Sequence, residues 1–193
     1  MEPDIRQLSS RMVYENPWMT LREDAVERRD GSQGIYAVID KPDFALIIPV
    51  ERDGFWFVQE YRYAVGRRVW SFPQGTLPDR QVGEPSTLAR AELLEETGIE
   101  ADRLVGLGFM YTSQGSSSQG FNAFAAFDLT HGSPQREREE QDMVHAWFSR
   151  QDFIGLVADG QMADDASLAA YALLTIWEAK ADSHGETVKT AAD

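Results

Sequence analysis

The chain has 193 residues, 42% of them hydrophobic, enough for one domain with a full core. Its 32 acidic and 18 basic residues leave a net charge of −14, which excludes the basic surface that broad nucleic-acid or anionic-membrane binding requires. With no cysteine there are no disulfides, thiolate metal sites or cysteine nucleophiles, and no apolar run approaches the ~18 residues of a membrane span.

The opening Met-Glu-Pro-Asp-Ile-Arg-Gln has no basic stretch leading into an apolar one, so a cytoplasmic protein is expected. Residues 1–10 read as a loose arm. Residues 11–29 read as strand material, around Met12-Val13-Tyr14 and Trp18-Met19-Thr20-Leu21-Arg22. Asp30-Gly31 supplies a turn into Gly34–Ile39, which predicts a hairpin. Phe44–Val50 is a continuous apolar run and predicts a buried strand. Glu51-Arg52-Asp53-Gly54 turns it into a second strand, Phe55–Tyr63. Gly66-Arg67-Arg68 reads as loop, Val69–Phe72 as a short strand, and Asp79–Gly83 as loop again.

Beyond a central helix, Leu104–Tyr111 and Phe121–Phe127 are strand candidates. The small, polar Thr112–Gly120 between them reads equally as an exposed hairpin loop or as the wall of a site. Residues 131–142 carry a charge run that reads as solvated loop. Met143–Phe148 predicts a closing strand, Arg150–Ala158 and Ala163–Ala179 two helices, and 181–193 a disordered tail. Strands alternating with one central and two late helices predict α+β layers.

Chemistry concentrates in Glu84–Ile99. Glu92, Glu95 and Glu96 stand at i, i+3 and i+4, so a helix presents them on one face, while Leu88, Ala89 and Leu93 turn toward a core. Pro85 suits the first turn, Ser86 or Thr87 can satisfy its free N–H groups, and Gly98 suits a left-handed cap. Like charges at this spacing cost a helix about 0.2–0.5 kcal/mol per pair. A hard cation is the simplest compensation, and Mg²⁺ is commonly held by one or two carboxylates plus substrate phosphates. His131, His145 and His184 have no metal-ligand spacing.

Together, Trp70-Ser71-Phe72-Pro73-Gln74-Gly75 and Ala91-Glu92-Leu93-Leu94-Glu95-Glu96-Thr97-Gly98-Ile99 resemble the Nudix box. Two departures stand out. The motif's arginine, which orients the glutamates, is Ala91 here, with Arg90 adjacent. Eight residues separate Gly75 from Glu84, and seven separate Glu84 from Glu92, against the family's five and eight.

The resemblance implies an α/β/α sandwich with a mixed sheet over 41–180, preceded over 1–40 by a β extension that builds a homodimer. It implies hydrolysis of the pyrophosphate of a small-molecule nucleotide, in the ADP-ribose or nucleotide-sugar branch, with Mg²⁺ as cofactor and Mn²⁺ as its alternative. The metal ligands it implies are Glu92 and Glu96, with Glu95 close behind in the same catalytic cluster, the Gln74 carbonyl, and Glu84 through a water. It places the general base at Glu139 or Glu140, with Glu137 a poorer third, and a phosphate-contacting arginine at Arg62. Tyr36, Tyr111 or Phe121 could stack on a base, although most aromatics at strand positions are core, and Gly115 marks the substrate loop.

Alternatives remain within and beyond the enzyme class. Trp-Ser-Phe-Pro-Gln-Gly-Thr resembles the opening of RNA and dinucleoside polyphosphate pyrophosphohydrolases, although the acidic balance counts against RNA. ADP-ribose enzymes usually carry a proline beyond the box where this chain has Gln114-Gly115. Isopentenyl diphosphate isomerases lean on a cysteine that is absent here. A nucleotide-binding module without catalysis is favoured only by Ala91, and the three retained glutamates argue against it.

Overall fold

The computed structural model describes residues 3–77, 83–136 and 140–183. The expectations for Glu137, Glu139, most of the 79–83 loop and the tail beyond 183 lie outside those residues. The chain divides into two compact units. One takes the described residues of Met1–Asp43, Thr76–Val82 and Tyr111–Gly120; the other takes those of Phe44–Gly75, Gly83–Met110 and Phe121–Asp193.

In the second unit, strand β4 (Phe44–Glu51) is almost wholly buried, and its side chains alternate between two cores. Ala45 and Ile47 pack with Ala89 and Leu93 of helix α1 (Pro85–Thr97). Leu46, Ile48 and Val50 pack with Phe153 of α2 (Arg150–Ala158) and with Ala166, Ala170 and Leu174 of α3 (Asp165–Ser183). Helices on both faces explain why this strand is a continuous apolar run rather than an alternating one. The α/β/α layering matches the expectation.

The sheet is mixed. β5 (Gly54–Arg62) returns antiparallel to β4 through the expected turn, and β10 (Val144–Ser149) lies antiparallel on β5. β9 (Gly120–His131) runs parallel to β4, with β8 (Ile99–Tyr111) outside it. Two short strands complete the sheet, β6 (Arg67–Ser71) on β5 and β7 (Gln74–Gly75) on β4. β8 begins five residues before the expected Leu104, because Ile99 and Ala101 are buried against the α1 layer.

A cluster of aromatic rings holds the approach to β7. Phe72 is fully buried, stacked on Phe57 at 4.5 Å and edge-on to Phe55 at 5.8 Å. Its backbone N–H donates to Ser167 Oγ at 2.9 Å. The turn that follows, Pro73-Gln74-Gly75, is thereby anchored from both sides, since Ile47 N–H donates to Pro73 O at 3.0 Å.

The first unit contains a three-stranded antiparallel sheet, β1 (Ile5–Glu15), β2 (Thr20–Arg28) and β3 (Gln33–Asp40). Asp30-Gly31 makes the expected turn, with Gly31 at φ 80°, a conformation that favours glycine. Residues 5–10 are strand rather than a loose arm. They pair with 24–28, and Arg6 and Arg11 meet Glu27 and Glu23 across the ladder at 2.7 and 3.0 Å. Every residue of β1 is exposed, so no buried face imposed a period-two pattern that could be read in advance.

The Thr112–Gly120 segment is not a simple hairpin loop. Ile39 N–H donates to Ser116 O at 2.8 Å, Ser118 N–H donates to Ile39 O at 3.1 Å, and Gly120 N–H donates to Asp43 Oδ1 at 2.7 Å. These bonds join the segment to β3 and the residues after it.

Candidate active site

Helix α1 begins at Glu84, whose carboxylate accepts the Thr87 N–H at 2.9 Å and a bond from the Ser86 hydroxyl. The cap is therefore Glu84, and not Ser86 or Thr87. Pro85 occupies the first helical position, where its missing N–H costs nothing. The helix ends at Gly98, φ 75°, whose N–H donates to Leu94 O at 2.8 Å.

The next carbonyls of the last turn would be left without partners in an isolated helix. Here the segment before residue 137 satisfies them. Gln135 N–H donates to Glu95 O at 2.9 Å, and Arg136 Nε donates to Glu96 O at 3.0 Å.

Glu96 is the centre of the site. It is 2% exposed, and burial pushes its carboxyl well above the usual range, reinforced by the charges of Glu92, Glu140 and Glu60. The Gln74 N–H donates to its Oε2 at 3.2 Å and works the other way. Acids from α1, from β5 and from the residues before β10 thus act on one buried carboxyl. The side-chain Oε1 of Gln74 is buried with no hydrogen-bond partner among the described residues.

Gly75 is required by close approach. A Cβ there would lie 2.4 Å from Glu92 Oε2 and 2.5 Å from its Cδ. The obstructing atoms end a flexible side chain, so Gly75→Ala is expected to displace the Glu92 carboxylate while leaving the fold intact. We expect a loss of roughly a hundredfold in kcat/KM, as for a misplacement of about 1 Å. Thermal denaturation should find Tm unchanged within a few degrees.

Among the described residues, no group of three or more Asp, Glu, His or Cys is arranged to hold a metal ion alone. The donor set is nonetheless all hard oxygen, and a dication would relieve the charge crowding at Glu96. Mg²⁺ ordinarily keeps waters and takes substrate phosphates, so Glu92 and Glu96 with part of the shell left open fit such an ion.

The expected residues divide between the units. Glu92, Glu95, Glu96, Gln74, Glu140 and Arg62 all belong to the second unit, and the fields at Glu96 link Glu92 and Glu140 to it directly. Arg62, 44% exposed at the end of β5, meets Glu60 Oε1 at 2.8 Å. Glu84 is engaged as the helix cap. Tyr36 and Gly115 lie in the first unit, where the Tyr36 hydroxyl donates to Gly115 O at 2.8 Å. Glu60 was not anticipated. A glutamate on a strand carries no spacing signal, and only its place two residues before Arg62 hinted at it.

Comparison with known proteins identifies the family and the fold. Residues 41–171 match the family described as NUDIX domain, and residues 5–39 match the nucleoside diphosphate sugar hydrolase N-terminal domain. An ADP-ribose pyrophosphatase of Mycobacterium tuberculosis (strain ATCC 25618 / H37Rv) is 29% identical over 171 residues, 87% of this chain and 82% of that protein. Another protein of that name from Bacillus subtilis (strain 168) is 24% identical over 176 residues, 90% of this chain and 94% of its own. A solved structure described as an ADP compounds hydrolase superposes with a TM-score of 0.80 at 20% identity, covering 96% of this chain and 98% of that one, which establishes the shared fold.

Proposed function

This chain belongs to the Nudix family, and we propose that it hydrolyses the pyrophosphate bond of ADP-ribose, giving AMP and ribose 5-phosphate. The observation that carries the reading is the convergence of Glu92, Glu140 and Glu60 on buried Glu96, beside a glycine that admits the Glu92 carboxylate. The choice of a nucleotide sugar is supported by the match of residues 5–39 and by the names of the two relatives.

In the reaction, water adds to one phosphorus, the bridging P–O bond breaks, and the leaving phosphate carries away the bonding pair. The attacked group is already anionic, so the nucleophile must be activated and the phosphate charge balanced. Glu92 and Glu96 would hold Mg²⁺, or Mn²⁺ in its place, with Glu95 and the Gln74 carbonyl as further candidate donors. When bound, such an ion neutralises phosphate oxygens and acidifies coordinated water. Glu140 accepts the proton of the attacking water, since its charge already reaches Glu96. Arg62 contacts a phosphate, a task suited to the planar guanidinium fork. Tyr36 and Gly115 belong to the substrate side, as one hydrogen-bonded pair.

The same reading takes 41–180 as the hydrolase domain and 1–40 as a dimerisation extension. Its support is β1, whose Ile5, Leu8, Met12, Val13 and Tyr14 are all exposed on an edge strand. Such edges are normally covered, and a second copy would cover this one. No helix among the described residues is long and apolar enough to cross a membrane, and the absence of cysteine fits a cytoplasmic setting.

The test is product analysis on a panel of ADP-ribose, ADP-glucose, UDP-glucose, GDP-mannose and diadenosine tetraphosphate with Mg²⁺. We expect AMP and ribose 5-phosphate from ADP-ribose, with kcat/KM about tenfold or more above the others, roughly 1.4 kcal/mol of discrimination. Preference for the dinucleotide, or tight binding without turnover, would replace this reading by one of the alternatives.

A further inference from the structure

We propose that Arg136 and Arg68 are positioning residues that clamp Glu140–Met143 from two sides and so hold Glu140 in place beside Glu96. This rests on the reading of Glu140 as the base.

Each guanidinium group reaches two backbone carbonyls. Arg136 Nε donates to Glu96 O at 3.0 Å, Nη1 to Met143 O, and Nη2 to His145 Nδ1 at 2.8 Å. One side chain therefore fastens the end of the ligand-bearing helix to the residue where the Glu140 turn closes. The turn itself is marked by Met143 N–H donating to Glu140 O at 2.9 Å, and the Gln141 amide donates back to Arg136 O at 2.9 Å.

Arg68 grips the other side. Its Nη2 donates to Asp142 O at 2.7 Å and to Gln59 O at 2.8 Å, and its Nη1 donates to Asp142 Oδ2 at 2.7 Å. That ties Asp142 to β5, one residue from Glu60. A surface arginine kept for its charge would need only the Asp142 carboxylate; the fork here addresses the main chain. In this box Ala91 stands where an arginine is usual. Arg136 reaches the same helix from outside the box and links it to the base.

The test combines kinetics with hydrogen exchange on Arg136→Ala, Arg136→Lys and Arg68→Ala. For Arg136→Ala we expect kcat to fall roughly a hundredfold, the size of a small misplacement of a reacting group. KM should stay within a few-fold, and exchange should accelerate in the peptide spanning residues 140–146. Arg136→Lys keeps the charge but loses the fork, so kcat should stay low; full rescue by lysine would overturn the geometric claim. Arg68→Ala, at an exposed position that threatens the fold less, should cost about tenfold in kcat, as losing an outer support does. It should loosen the same peptide. Unchanged exchange at 140–146 in both alanine variants, or wild-type kcat in both, would overturn the clamp. If the parent protein turns over no nucleotide sugar, the substrate reading fails, and the exchange arm alone decides the clamp.

Discussion

Glu96→Gln is expected to abolish turnover and, in the metal-free protein, to raise stability. The neutral amide is a poorer ligand for a hard cation, and we expect kcat/KM to fall roughly a thousandfold or more, about 4 kcal/mol of transition-state stabilisation. The stability effect has the opposite sign because Glu96 is buried among like charges. Its folded carboxyl holds a proton that the unfolded chain releases in the ordinary glutamate range. Between the unfolded and the raised folded pKa the native state binds more protons, so stability falls as pH rises. Glutamine removes that dependence. We expect about 1 kcal/mol of stabilisation near neutral pH, or roughly 2–4 °C in Tm, the usual exchange between activity and stability at such sites. A Glu96 that ligates Mg²⁺ would do so in its ionised form, so the ion's thermal shift of the parent protein should grow with pH and be lost in the variant. Thermal denaturation with and without Mg²⁺ across pH 5–8 checks all three statements. A parent protein whose metal-free Tm rises over that range would contradict the assignment of Glu96 as a buried, crowded carboxyl.

Glu140→Gln is expected to reduce kcat by roughly a hundredfold to ten-thousandfold, the contribution of a positioned general base. KM should change little, because the group acts on water rather than on the nucleotide. A base reveals itself in the pH–rate profile, so the acidic limb of kcat should flatten in the variant. Loss of Mg²⁺ affinity with an unaltered pH profile would make Glu140 a ligand instead. Parent-like kcat in the variant would move the proton acceptor elsewhere. Glu139→Gln serves as the comparison, since the charge run offers either glutamate as the base.

Much of the local structure was legible in the residues. Helix α1 follows from Pro85 at its first position, the apolar Ala89 and Leu93, and Gly98 at its end. β4 follows from an uninterrupted apolar run, and the turn at Asp53-Gly54 from its composition. The glutamate spacing brought Glu92 to bear on Glu96, because a helix puts i and i+4 on one face whatever surrounds it. Neither the pairing of residues 5–10 nor the bonds from 116–120 to β3 left such a trace. Exposed strands lack a periodic pattern, and a polar loop looks the same whether it is free or bonded to a neighbour.

By itself, then, the order of residues determined the helix carrying the acids and the buried central strand, and its resemblance to the Nudix box, rather than the acids alone, implied the class of reaction. These depend on short-range spacing, which a chain carries in its covalent order. The tertiary structure alone decided that Glu96 is the buried member, that Glu60 and Glu140 add their charge to it, and that Arg136 and Arg68 grip the residues around Glu140. Several of those facts join positions far apart in the chain, 40 residues for Arg136 and Glu96 and 74 for Arg68 and Asp142, brought together by the packing of β5, β6, α1 and the turn before β10. Burial and long-range charge are properties of that packing, so no local pattern in the chain could announce them.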